Sequence, residues 1–296
     1  MKIFDCITYY DEELLFDLRC HQLNNYVDFF VVVEAKFTHS GKKKKLNFNI
    51  NNFNKFKNKI DYIVVDQQPP NVRKLKEDDT AKIKEEKLIL NGMARDYFQR
   101  ENLKKGLKNL KDDDLVVISD LDEIPNFDNL DFNKINNNII IFQQKMFYYK
   151  LNLYYNEFIW AGSKAVKYKN FVSPQWLRNV KSKKYPFWRL DVFFSKKKYS
   201  NLFYVKDGGW HFTCIRTPED LEKKLLNFAH HYEFEQSGLK LTDLKKLIKE
   251  KRVMYDHSVD QTGYKWSGKS ILKTVNNNEL PLYIRNNIKK FKDWLD

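Results

Sequence analysis

"DDDLVVISDLDEIP", residues 112–125, decides how this 296-residue chain is read. Val116, Val117 and Ile118 form an apolar run of the kind that makes a strand buried on both faces. The run leads straight into Asp120, Asp122 and Glu123, side chains that are almost never fully buried without a partner, and then into Pro125. Something must balance that charge.

Upstream, the same alternation of strand and helix recurs. "KIFDCI" (2–7) reads as a strand and "DEELLFDLRCHQL" (11–23) as a helix with an acidic first turn. "DFFVVVEA" (28–35) is a second strand, "LNFNINNFNKF" (46–56) an asparagine-rich helix or irregular piece, and "DYIVVD" (61–66) a third strand. A long helical region over about 78–110 then feeds the strand of the opening segment. Repeated β-α units predict an α/β fold with a mainly parallel central sheet flanked by helices. The acidic cluster then lies at the carboxyl end of a strand, where open α/β sheets bind their ligands.

Downstream the pattern is less regular. "NIIIFQQKMFYYKLNLYY" (138–155) has β character, "SPQWLR" (173–178) and "YPFWRLDVFF" (185–194) read as loop and strand pieces, and "DGGWHFTCI" (207–215) as a turn into a strand. "TPEDLEKKLLNFAHHYEF" (217–234) predicts one helix, with Thr217 as N-cap, Pro218 at its first position and Glu219 and Asp220 in its first turn. A lysine-rich helical stretch follows Ser237, then a loop around "DQTGYKWSGKS" (260–270). No repeat or linker divides the chain, so the expectation is a catalytic domain over 1–235 with a C-terminal elaboration, 236–296, packed on it.

The composition narrows the class. A 42% hydrophobic content with 16% aromatics can build a substantial core. No stretch approaches the roughly 20 apolar residues of a membrane helix, and the N-terminus lacks an apolar signal region, which points to a soluble cytoplasmic protein. Absence of any Asn-x-Ser/Thr acceptor agrees with this reading. Three cysteines, Cys6, Cys20 and Cys214, show neither metal nor redox spacing and read as reduced thiols with packing roles. The net charge of +14 would attract polyanions, yet only nine of the 53 basic residues are arginine, the residue preferred for bidentate phosphate recognition. The lysine runs are scattered between apolar segments, which favours solvated loops over a specific nucleic-acid surface; peripheral contact with an acidic membrane surface is the remaining polyanion role.

Asp120 and Asp122 flank Leu121, and alternate residues at a strand end project the same way, so both carboxylates can face one ligand. Two such anions raise each other's pKa unless a cation intervenes. A hard divalent ion, Mn2+ or Mg2+, held by carboxylate oxygens and keeping positions for phosphate oxygens, meets that requirement. A phosphatase with an Asp-x-Asp nucleophile would also explain an acidic strand end, but no matching pattern follows the second aspartate. A lysine-rich nucleic-acid-binding protein is the third reading.

The opening segment resembles the Asp-x-Asp segment of glycosyltransferase family 17. "FDCITYYDEELLFDLRCHQLNNYVDFFVVVEAKFTHSGKKKKL", "KIDYIVVD", "ARDYFQRENLKKGL" and "DGGWHFTCIRTPEDLEKKLLNFAHHYEF" resemble the family's other blocks in the same order, over roughly residues 4–235. The resemblance implies a GT-A fold, a nucleotide-sugar donor such as UDP-GlcNAc, a divalent metal, a glycan acceptor and inversion at the anomeric carbon. Two departures stand out: Asp96 where the family has asparagine after the arginine, and a "FAHHYEF" segment one residue longer than usual. They bear on the acceptor and the donor.

On this reading Asp122 binds the metal, Asp120 helps hold the metal or the ribose, Glu123 supports the shell, and His211 completes it as a neutral imidazole. Gly208 and Gly209 would let backbone approach the diphosphate. Arg95 is placed to reach diphosphate oxygens, with Arg178 and Arg189 as further phosphate partners. Glu34, Thr38, His39 and Ser40, after the second strand, are candidates for base or ribose binding. Inversion needs a base for the acceptor hydroxyl, and Asp207 and Glu233 are the two candidates. Trp160, Trp176 and Trp188 are candidate stacking faces for sugars, with core packing as the alternative.

Overall fold

The alternation read from the first 120 residues is present in the computed structural model, which describes residues 1–186, 188–228, 231–257, 265, 266 and 268–296. β1 (Ile3–Tyr9), β2 (Phe29–Ala35), β3 (Ile60–Val65) and β4 (Leu115–Asp120) are parallel neighbours in the order β3-β2-β1-β4. α1 (Glu13–Leu23) links the first two, and α2 (Ala81–Glu101) precedes β4. Side chains of β1 alternate between two cores. Ile3, Ile7 and Tyr9 join Leu15, Phe16 and Leu18 of α1 on one face, while Phe4 and Cys6 join Phe98 of α2 and Leu103 on the other. Covering both faces is what lets Val31–Val33 and Val116–Ile118 be continuously apolar, each buried side chain contributing about 1.5–3 kcal/mol.

Shorter strands follow: β5 (Glu123–Pro125), β6 (Ile139–Phe142), β7 (Gln144–Tyr148), β8 (Leu153–Trp160), β9 (Lys164–Lys167), β10 (Leu202–Val205), β11 (Gly209–Thr213) and β12 (Lys273–Thr274). β9, β6 and β10 extend the first sheet beyond β4 to seven strands, and β9 alone runs against its neighbours. The remaining strands form a second sheet in the order β12-β8-β7-β11-β5. The chain therefore leaves the first sheet at Asp120 and enters the second at Glu123, so the acidic turn is the crossing point between them.

The later helices differ from expectation in instructive ways. "SPQWLR" is α3 (Pro174–Asn179), with the Ser173 side chain accepting from the Trp176 N–H and Pro174 in the first turn. "YPFWRLDVFF" contains the single turn α4 (Leu190–Phe193) rather than a strand. α5 (Pro218–Leu225) starts as read, capped by Thr217, but ends early; α6 (His231–Ser237) is a separate element. α2 is shorter than the region over 78–110 and passes into a 3-10 turn at Asn102–Gly106, and the asparagine-rich piece is a 3-10 segment, Ile50–Lys59, anchored by buried Phe53 and Phe56. Of the loop over 260–270, residues 260–264 and 267 lie outside the described residues.

After residue 236 the described chain adds to existing cores. Leu244 of α7 (Leu241–Lys249), Val253 and Met254 pack with the second sheet, whereas Ile284 of α8 (Leu282–Asn286) and Phe291 return to the α1 face of the first. All three cysteines are buried and free, as their spacing implied. No helix among the described residues is long and apolar enough to cross a membrane.

Candidate active site

A cavity of about 520 Å3 opens where the two sheets meet. Thr8–Tyr10 at the end of β1, Phe37–His39 after β2 and Asp120–Asp122 at the end of β4 line it from the first sheet, all at carboxyl ends. Tyr148, Trp160 and His211 line it from the second, joined by Lys224 of α5, Glu233 of α6, and Tyr255, His257 and Trp266. One wall is charged and the other largely aromatic. A volume in this range suits a small-molecule ligand.

The acidic turn is held from three directions. Below it, Arg19 of α1 pairs bidentately with Asp5 of β1, both bonds 2.6 Å, and its third nitrogen donates to the carbonyls of Glu123 (2.7 Å) and Leu121 (3.3 Å). Beside it, Arg178 at the end of α3 donates to both Glu123 oxygens and to Asp120 Oδ2, each at 2.7 Å. Trp160 Nε1 donates to Glu123 Oε1 at 2.5 Å, and the Asp120 N–H to Glu123 Oε2 at 2.9 Å. Gly162 lies against this junction, where a Cβ would sit 2.3 Å from the Glu123 carboxyl carbon. Arg178 is itself placed by Lys164 of β9, whose ammonium donates to the carbonyls of Arg178 (2.7 Å) and Val180 (2.6 Å).

Arg100 of α2 completes the arrangement. It donates to Asp120 Oδ1 at 3.0 Å and bidentately to Asp96, one helical turn away. Both Asp120 oxygens are thus bound to guanidinium groups. Burial alone would raise the Asp120 pKa, but Arg178 and Arg100 more than offset it and hold the carboxyl well below its usual range. The same carboxylates push Arg178 upward against its own desolvation. Lys164, desolvated and close to Arg178, is lowered to about 7.

Asp122 is different. Among the described residues its one ion-pair partner is His211, with Nε2 3.6 Å from Oδ1, brought there because β11 pairs with β5 and sets His211 opposite Glu123. Lys224 stands on the same side and is paired with Glu12, which burial would raise but Lys224 and Arg216 bring down to about 2. On the aromatic wall, Trp160 lies 4.7 Å from the His211 ring, and Tyr148 Oη is 2.7 Å from His257 Nε2. Burial, then His211, lower His257 to about 4, so its imidazole is neutral at physiological pH.

The candidates read from sequence sort as follows. Asp120, Asp122, His211, Arg178, Thr38, His39 and Glu233 line the cavity, as does Trp160. Asp120 and Arg178 do so paired with each other, Arg178 Nη2 to Asp120 Oδ2 at 2.7 Å, whereas Asp122 has no arginine partner among the described residues. Asp207 does not line it: the residue has φ of +48° in the turn before β11, and its largely exposed side chain faces Lys145 at 3.8 Å. Glu34 is wholly buried as a loop anchor, accepting from the N–H groups of Asn47 (2.8 Å) and Phe48 (3.1 Å), from Tyr62 and from Lys44. Arg95 braces Gln68 (2.7 Å) and the His39 carbonyl (3.1 Å) outside the main cavity. Arg189 pairs with Asp191 on the surface, Trp176 donates to the Lys196 carbonyl, and Trp188 is 69% exposed.

Arg19, Arg100, Glu12, Lys224 and His257 were not anticipated. Only Arg100 had a usable signal, its four-residue spacing from Asp96 on a helix.

Residues 1–295 match glycosyltransferase family 17, and the chain belongs to that family. Among characterised proteins it is similar to β-1,4-mannosyl-glycoprotein 4-β-N-acetylglucosaminyltransferase of Homo sapiens and of Rattus norvegicus, at 30% identity over 138 residues in each case. That stretch is 45% of this chain and covers 24% of the human protein and 23% of the rat protein.

Proposed function

We propose that this chain is an inverting glycosyltransferase that moves N-acetylglucosamine from UDP-GlcNAc to a hydroxyl of a glycan, with Mn2+ or Mg2+ at Asp122 and His211. The observation that carries the reading is the Asp122–His211 pair facing a ligand-sized cavity beside two carboxylates already neutralised by arginine. Family membership and the printed activity of the relatives support the reaction class. A seven-stranded, mainly parallel sheet with one reversed strand supports a GT-A fold.

The donor set fits such an ion in a specific way. No group of three or more His, Cys, Asp or Glu side chains placed to hold a metal ion is present among the described residues, so the donors proposed are one carboxylate and one imidazole. Asp122 and His211 would hold such an ion and leave room for a ligand beside it. When bound, the ion would supply positive charge to the departing diphosphate. Arg100 and Arg178 hold Asp120 and Glu123 still, and Lys224, near Asp122, is the cavity cation placed to meet a diphosphate oxygen. Glu233 takes the proton from the acceptor hydroxyl, whose oxygen bonds to the anomeric carbon as the diphosphate oxygen leaves on the opposite face. Trp160 and Tyr255 offer apolar faces for the sugars.

A panel of nucleotide sugars with Mn2+ or Mg2+, scored for donor hydrolysis and for a rise in melting temperature, tests the assignment. UDP-GlcNAc should respond and Asp122→Asn should not. Silence toward every donor would overturn the reading.

A further inference from the structure

The described residues of 181–198 follow Arg178 of the cavity wall and combine exposed apolar side chains with lysine runs on either side. The two runs meet, the Lys181 N–H donating to the Lys197 carbonyl at 2.7 Å. They carry Lys181, Lys183 and Lys184 on one side and Lys196, Lys197 and Lys198 on the other. With Arg189 and one acid, Asp191, the stretch has seven basic residues against one acidic, a net +6 of the chain's +14. Between them, the α4 turn buries Val192 and leaves Leu190 74% and Phe194 89% exposed. These two are four residues apart, on the same side of the turn. The single acid is answered locally, by Arg189 at 2.8 Å and by one of the flanking lysines, Lys198, at 2.6 Å, and the net +6 already counts it.

We propose that this stretch docks the protein on an anionic lipid bilayer, with Leu190 and Phe194 entering the acyl boundary and the flanking lysines meeting headgroup phosphates. Exposed apolar side chains flanked in sequence by long cationic ones match the layering of a bilayer interface, apolar below and phosphate above. A second copy of the chain is a poor occupant, because it would bring +6 against +6. A nucleic acid would satisfy the lysines but gives an aliphatic leucine nothing to enter. The stretch begins three residues after Arg178, so docking would place the cavity close to the membrane surface. The inference stands on surface chemistry and does not depend on which donor the cavity takes.

The test is co-sedimentation of the full chain with vesicles of phosphatidylcholine alone and of equal parts phosphatidylcholine and phosphatidylglycerol. Binding to the mixed vesicles should be at least about tenfold tighter and should weaken with salt. Leu190→Ser with Phe194→Ser should lower it about tenfold, and Lys196→Glu with Lys197→Glu should abolish it, with melting temperature and donor hydrolysis unchanged in both. Undiminished binding by the Leu190/Phe194 variant would overturn the proposal. So would failure to bind mixed vesicles, or a single-stranded oligonucleotide competing for the same residues.

Discussion

Arg19 and Asp5 form a wholly buried bidentate pair, and the arginine nitrogen that remains holds the backbone of the acidic turn. Arg19→Met would leave the Asp5 carboxylate unpaired inside the core and should cost about 3–5 kcal/mol in urea denaturation. Adding Asp5→Leu should recover most of that stability. Turnover should stay low in the double variant, because the carbonyls of Leu121 and Glu123 are still unheld. Recovery of turnover along with stability would show that the turn keeps its shape without Arg19.

Two arginines singled out for phosphate binding should respond very differently to the same change. Arg178→Lys removes a fork that spans Asp120 and Glu123, and an ammonium cannot replace it. Turnover should fall about 10- to 100-fold. Arg95→Lys disturbs only Gln68 and a carbonyl outside the cavity, with a loss of about 1 kcal/mol and little change in rate. Equal losses of turnover in both variants would defeat the clamp assigned to Arg178.

Gly162 admits no side chain. An added Cβ would lie 2.2 Å from Trp160 Nε1 and 2.3 Å from the Glu123 carboxyl carbon, and Glu123 is pinned by Arg178. Gly162→Ala should destabilise by about 1–3 kcal/mol, seen as a lowered melting temperature. An unchanged melting temperature would mean that the Trp160–Glu123 contact yields easily.

His257 makes stability depend on pH in a defined window. Its folded pKa is near 4 against an ordinary 6.5, so between those values the unfolded chain takes up a proton that the folded one refuses. The stabilisation is complete above pH 6.5 and is lost as pH falls toward 4, by up to about 3 kcal/mol. His257→Phe should flatten that part of a stability-against-pH curve. Parallel curves for wild type and variant would place the titration elsewhere.

The first sheet was legible because strands buried on both faces are written as unbroken apolar runs, and Val31–Val33 and Val116–Ile118 are such runs. The site's location followed from the run into Asp120 and Asp122. Their division of labour did not, because the arginines that neutralise Asp120 arrive from 20 and 58 residues away. Arg19 was invisible for another reason: it sits between Leu18 and Cys20 on a helix, where spacing cannot distinguish a buried arginine from a solvated one. In the second half, Ser173-Pro174 was a helix start available to a reader of caps. The single turn at Leu190 was too short to show any period.

The meeting of two sheets at Asp120–Glu123 separates what must stay constant from what is free to change. Arg19, Arg100 and Asp120 come from the parallel sheet and its helices, whereas the aromatic wall is borrowed from β7, β8 and the residues Tyr255, His257 and Trp266. If that wall receives the acceptor, natural variation confined to it would retune acceptor preference across a lineage while the acidic turn was inherited untouched. An engineer seeking a new acceptor should therefore randomise Tyr148, Tyr255 and Trp266 before touching any residue of the acidic turn.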